Sequence, residues 1–213
     1  MASMRPLPST LLALLLALST AALAAAPKKT AKAQTASPVR VVLQTERGAI
    51  ELELDAARAP RTVRNFLAYV DAGLYDGGMF HRTVKPDNQP NSAVKIEVIQ
   101  GGAAPAREAG FFPPIPLERT RVTGLRHLDG TLSMARGAPD SAQADFFICI
   151  GAQPELDFGG KRNPDGEGFA AFGRVVKGMD VVRAIQQAPA RGQQLAPPVR
   201  ILRAGRNVEA HHE

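Results

Sequence analysis

From Val39 onward the chain breaks into short runs in which apolar and polar residues alternate. Val39, Val41 and Leu43 alternate with Arg40 and Gln44, and Ile50, Leu52 and Leu54 alternate with Glu51 and Glu53. A period of two places one set of side chains on a buried face and the other in solvent, which is the pattern of a half-buried strand. Glu46-Arg47-Gly48 separates the two runs, so they are expected to pair as an antiparallel hairpin. The period then changes. Val63, Phe66, Leu67 and Val70 follow Pro60 at the i, i+3, i+4, i+7 spacing of one helical stripe, and Gly73 closes it. Strands are expected at Phe80–Val84, over Ile96, Val98 and Gln100 up to a stop at Gly101-Gly102, and at Thr131–Ala135, Phe146–Ile150 and Ala170–Val176. Met179, Val182 and Ile185 predict a second helix. Lys85–Ala93, with two Pro, two Asn and an Asp, and Ala103–Pro116 read as loops. After Gln187 the chain is Pro-rich, with one strand at Val199–Leu202 and a polar end. Many short strands with two helices argue against a parallel sheet and for a mainly β fold. We expect a closed antiparallel barrel with a helix packed over each end.

The first 38 residues follow neither period. Arg5 precedes the apolar run Leu11–Leu18, and Ala22-Leu23-Ala24 follows. This is the order of a secretory signal, cut after Ala24. The run is short for the roughly 30 Å of a bilayer core, and no cysteine directly follows it to carry a lipid. The address this implies is the bacterial periplasm, with no stable membrane insertion after cleavage. Residues 25–38 carry Lys28, Lys29 and Lys32 without apolar periodicity and read as a disordered linker. The expected organisation is therefore a signal peptide at 1–24, a linker at 25–38, one domain at 39–205 and a polar tail at 206–213.

Composition narrows the chemistry. The chain has 213 residues, 26 Lys+Arg and 20 Asp+Glu, for a net charge of +6. The basic residues are scattered, and none of the aromatics alternates with them as in a single-strand stacking platform, so no nucleic-acid partner is expected. One cysteine, Cys149, excludes an internal disulfide framework and a multi-thiolate zinc site; it reads as a buried apolar filler. His81, His127, His211 and His212 do not fall at metal-ligand spacing. Gly166 to Ala171 nearly matches a dinucleotide fingerprint, but it precedes a strand instead of following one. No Gly-x-Ser-x-Gly is present. The expected cofactor and metal content is none.

Three segments carry the remaining signal. They are Tyr75-Asp76-Gly77-Gly78-Met79-Phe80-His81-Arg82, preceded by Asn65-Phe66-Leu67; Gln100-Gly101-Gly102; and Leu132-Ser133-Met134-Ala135-Arg136, followed by Phe146-Phe147-Ile148 and Phe172-Gly173-Arg174 through Val181. In this order they resemble the cyclophilin peptidyl-prolyl isomerases, particularly the bacterial periplasmic branch, from about Val39 to Leu202. The resemblance implies an eight-stranded antiparallel barrel capped by two helices. It makes Arg82 the catalytic arginine and Gln100 its substrate-positioning neighbour. Ala135 would touch the peptide backbone, and Val98, Phe147 and Leu156 would line a proline pocket. His81 and Phe169 complete the substrate-binding set, His81 as a hydrogen-bonding residue and not an acid or base.

The chemistry agrees with such a set. An X-Pro bond turns over a barrier of about 18–20 kcal/mol because the amide is resonant. Lowering that barrier needs no nucleophile, metal or cofactor. It needs a cation or donor for the twisted imide and an apolar slot for the ring. Arg82 is permanently charged and carries five donors. Phe146 and Phe147, being adjacent, face opposite sides of a strand, so one is core and the resemblance assigns Phe147 to the slot. The partners expected are Pro-containing unfolded or partly folded envelope polypeptides, met by a monomer.

Some positions depart from the family. Arg82 and Gln100 lie 18 positions apart, about ten more than is usual there, which places an insertion within Lys85–Lys95. Glu97 stands where a pocket Phe is usual, Asp145 where Gln often precedes Phe-Phe, and Glu155 where drug-sensitive members have Trp. Phe169 stands where other members carry a His, and the bacterial branch an aromatic. Glu97 and Asp145 are expected to pair with Arg82 and compete with substrate. A rival reading follows, a non-catalytic Pro-peptide-binding module on the same barrel.

Overall fold

A computed structural model of the chain describes residues 39–207. The expected signal and linker, and the part of the expected tail beyond residue 207, lie outside the described residues. The elements in order are β1 (Val39–Thr45), β2 (Gly48–Leu54), α1 (Pro60–Asp71), β3 (Met79–Val84), β4 (Val98–Gly102), α2 (Thr120–Thr123), β5 (Thr131–Met134), β6 (Phe146–Cys149), β7 (Ala170–Lys177), α3 (Met179–Gln186), β8 (Ala190–Arg191) and β9 (Gln194–Arg206).

All strand pairs are antiparallel, and the strands run β1-β2-β7-β5-β6-β4-β3-β9 before β1 pairs with β9 and closes the ring. The expected eight-stranded barrel is therefore present, with β8 added as a two-residue arm on β9. The β1–β2 register sets Val41 against Leu52 and Leu43 against Ile50, so the alternating residues of both strands share the inner face. They meet Phe80, Ile99, Leu132, Phe146, Ile148 and Phe172 in one core. Phe66 of α1 enters that core, with its ring 5.5 Å from Phe146 and 5.2 Å from Phe172. α1 packs on β7 and β9, and α3 on β2, β3 and β4. Pro60 opens α1, where its missing N–H costs no helical hydrogen bond.

Four features differ from the sequence expectation. Gly101 and Gly102 do not stop β4; they continue it opposite Phe80 and Met79. A Cβ on Gly101 would lie 2.8 Å from the Met79 carbonyl oxygen, so glycine is what the close strand approach requires. β4 also starts at Val98, not Ile96, because the Ile96 backbone is bonded to the Gln89 side chain at both N–H and C=O. The last strand is 13 residues long, not four. It tolerates Pro197 and Pro198 because they are exposed and lie between its paired stretches, where no ladder donor is needed. A third, four-residue helix, α2, carries no periodic signal.

Candidate active site

The site begins with a bulge. In the β3–β4 ladder Phe80 faces Gly101 and Arg82 faces Gln100, with the register shifting at His81. Phe80 is wholly buried in the barrel core. Strict alternation would send Arg82 to the same inner face. The extra residue turns Arg82 outward instead, which is how bulges re-aim side chains next to sites. Gln100 also faces Phe147 on β6, so Arg82, Gln100 and Phe147 form one row across the outer wall. Val84, Val98 and Cys149 form the row beside it.

On this outer wall lies an apolar cluster separate from the barrel core. Val84, Ile96, Val98, Phe147, Cys149 and Leu156 compose it, with Ala135 and Phe169 packed against it. Each apolar residue expected to bind substrate is thus in one place: Val98, Ala135, Phe147, Leu156 and Phe169. Phe169 meets Phe147 edge-on at 5.3 Å. Cys149 lies fully buried there, and burial pushes its thiol pKa up.

Residues to which the sequence assigned no role in the site hold these side chains. His127 is buried and stacks on Phe147 with centroids 5.9 Å apart. Its Nδ1 donates to Asp157 Oδ1 at 2.7 Å, and its Nε2 is 3.0 Å from Ser133 Oγ. Ser133 has no exposed surface, so this Ser-His-Asp chain is a shelf behind Phe147 and not a nucleophile. Arg136 sets Phe169. It donates to the Gly168 carbonyl, grips Asp165 with both Nη atoms at 2.8 and 3.0 Å, and lies 5.1 Å over the Phe169 ring. A lone His and Asp 30 positions apart offer no sequence signal.

The Arg82 guanidinium is fixed on two sides. Nε and Nη2 donate to Gln193 Oε1 at 2.9 and 2.6 Å, and Nη1 donates to Gln100 Oε1 at 3.0 Å. Burial lowers its pKa, yet a guanidinium remains charged at neutral pH. Gln193 lies in the β8–β9 turn, 111 positions away, and nothing in its neighbourhood marks it. The expected pairing of Arg82 with Glu97 and Asp145 is not found. Glu97 accepts from Gln186 of α3, because the residue before Val98 points to the other side of β4. Asp145 accepts from Gln100 Nε2 at 3.1 Å and lies 3.6 Å from His81 Nε2, one relay away from Arg82. Glu155, at the Trp position, folds back on the Lys161 N–H.

His81 faces a groove of about 910 Å³ lined by Met79, Phe111, Asp145, Gln194 and Pro197 among others. Val98, Phe147 and Leu156 do not line it; it adjoins the slot on the His81 side. Among the described residues no group of three His, Cys, Asp or Glu side chains is arranged to hold a metal, and no helix there is long and apolar enough to cross a membrane.

The Arg136–Asp165 clamp makes a pH prediction. Arg136 first, then the Glu167 N–H, holds the Asp165 pKa at about 2, from an ordinary 3.8. A carboxyl depressed in the folded state contributes fully above its free pKa and loses that contribution as pH falls through the folded value. The clamp should therefore persist from neutral pH to about 4 and release between about 4 and 2. Carboxyl NMR should show Asp165 titrating with the Phe169 ring signals; a midpoint at the ordinary value would mean that Arg136 does not clamp it.

A closed antiparallel barrel bearing a fixed guanidinium beside an outer-wall apolar slot defines a class: barrels that carry their site on the outer wall and not in the lumen. Comparison with known proteins gives the family. The model of the cyclophilin-type peptidyl-prolyl cis-trans isomerases matches residues 40–206. A peptidyl-prolyl cis-trans isomerase of Streptomyces antibioticus is 40% identical over 168 residues, covering 74% of this chain and 90% of that one. Peptidyl-prolyl cis-trans isomerase A of Dickeya dadantii (strain 3937) is 40% identical over 150 residues, 69% of this chain and 70% of its own. A cyclophilin-type isomerase of Cryptosporidium parvum shares the fold at TM-score 0.64 and 20% identity, over 81% of this chain and 99% of its own. The chain belongs to the cyclophilin-type peptidyl-prolyl cis-trans isomerases.

Proposed function

We propose that the protein accelerates cis-trans isomerisation of X-Pro bonds in unfolded or partly folded polypeptides of the bacterial envelope, with Arg82 as the catalytic residue. The observation that carries this reading is the Arg82 guanidinium, held by two neutral glutamine oxygens beside the Val98–Phe147–Leu156 slot. With the proline ring in the slot, twisting the C–N bond breaks its conjugation and leaves a lone pair on the imide nitrogen. A preorganised N–H of Arg82 stabilises that lone pair in the transition state more than in the planar ground state, which is the condition for catalysis. Gln100 orients both Arg82 and the peptide, and Ala135 and His81 bound the path of its backbone. No covalent step, metal or cofactor enters. Neutral acceptors suit this task, since a carboxylate on Arg82 would offset the charge the transition state uses.

The export pattern of Arg5, Leu11–Leu18 and Ala22-Leu23-Ala24 supports an envelope location. Barrel closure, which among the described residues leaves only the short β8 as an added edge, supports a monomer. The test is relaxation of the cis population of short X-Pro peptides with the chain lacking residues 1–24. The expected result is a relaxation rate that rises linearly with protein concentration. Peptide binding without acceleration would establish the non-catalytic module instead.

A further inference from the structure

Five of the described arginines are half-buried: Arg40, Arg82, Arg119, Arg136 and Arg162. Burying a cation is costly unless it is paired, and three of them meet carboxylates: Arg40 with Glu51, Arg119 with Glu167 and Arg136 with Asp165. Arg82 and Arg162 meet only neutral oxygens. Arg162 Nη1 donates to Gln89 Oε1 at 2.9 Å, Ser92 Oγ at 2.6 Å and the Val94 carbonyl at 2.6 Å, and among the described residues its Nε and Nη2 have no partner.

The two arginines belong to one assembly. Arg162 lies in the loop after Leu156 and reaches across to the inserted segment after Val84, so it joins the loops flanking the apolar slot. That segment is built to receive it. Gln89 is 2% exposed and ties Lys85 to Ile96 through its amide, while its Oε1 accepts from Arg162. The neighbouring Asn88 carbonyl accepts from Gln193, whose other amide atom holds Arg82. The insertion also brings Lys95, whose Nζ bonds only the Pro86 and Gln89 carbonyls. The Arg162 pKa is lowered by burial and then by the proximity of Arg82.

We propose that Arg162, set in place by the inserted segment, is a specificity-determining residue: a cation on the rim of the Arg82 site that selects prolyl segments with an acidic side chain close to the isomerising bond. This inference rests on the isomerase reading of the same site. An acidic substrate side chain supplies the carboxylate that Arg162 lacks among the described residues, and the Arg162 Nε and Nη2 are the donors for it, so that the charge of Arg82 stays available to the imide. The attraction is equal in ground and transition states, because the acidic group takes no part in the rotation. It therefore lowers KM and leaves kcat alone.

The experiment uses the chain lacking residues 1–24 and X-Pro peptides with a single Glu, or Gln in its place, at each position from two before to two after the proline. At low salt, Glu at one of these positions should lower KM about fivefold relative to Gln, the scale of an exposed ion pair, with kcat unchanged. The ratio should shrink toward one in about 0.5 M NaCl, where the screening length is only a few ångströms. Arg162→Gln should abolish the ratio and Arg162→Lys should keep part of it. A wild type with no Glu preference at any position, or a folded Arg162→Gln with the wild-type ratio, overturns the proposal. Should the Arg162 variants fail to fold, the wild-type salt series decides. Anisotropy binding of the same labelled peptides separates this from the isomerase reading: a Glu preference in binding without turnover sinks the isomerase and leaves the rim.

Discussion

Arg82→Ala should lower kcat/KM by about a hundredfold on short X-Pro peptides, the scale on which loss of one preorganised donor acts. The guanidinium supplies both the charge and the N–H that face the twisted imide, and no other cation of the described residues sits in the row with Gln100 and Phe147. The protein should remain folded. The β3 backbone ladder does not depend on the side chain, and the freed Gln193 and Gln100 amides lie at a surface where water can replace Arg82. A thermal midpoint within about 4 °C of wild type, equivalent to roughly 1 kcal/mol in a domain of this size, would separate a lost catalyst from a lost fold. Arg82→Lys should recover little, because one ammonium cannot be held by Gln193 and Gln100 together. An Arg82→Ala protein of full activity would remove Arg82 from the mechanism.

The adjacent phenylalanines should separate in the opposite way. Phe146 faces the barrel core and packs against Phe66, Tyr75 and Phe80. Phe146→Ala should cost about 4 kcal/mol, as large-to-small core changes do, and lower the thermal midpoint by about 10 °C. The part that stays folded should keep kcat/KM near wild type. Phe147 faces the outer slot, between His127 and Phe169. Phe147→Ala should lower kcat/KM by about tenfold or more, since a buried aromatic contact worth roughly 1.5–3 kcal/mol is withdrawn from the proline ring. Melting curves and kcat/KM measured on both variants make the comparison. Equal activity losses in the two would show that the wall between core and slot is not where the register puts it.

Much of this was legible along the chain, for a physical reason. The β1–β2 hairpin, α1 and α3 each announce themselves by contacts between residues two to four apart, and such contacts leave a period in the sequence. Eight short strands with two amphipathic helices exclude most other architectures. Phe80-His81-Arg82, Gln100 and Phe146-Phe147 could be assigned chemistry because few residue types offer a permanent planar cation or an apolar slot.

What the sequence by itself determined, then, was the eight barrel strands and the two longer helices, the barrel class and the residue types able to turn an X-Pro bond. Only the tertiary structure decided how they are held. The bulge at His81 turns Arg82 out of the core, Gln193 grips it from 111 positions away, and His127 and Asp157 brace Phe147 from behind. Glu97 turns to Gln186 on α3 instead of to Arg82. The inserted segment takes its form from Gln89 and its cation from Arg162, 73 positions on. These contacts link residues whose separations follow no period, and each forms only once barrel closure has brought distant turns to the same wall.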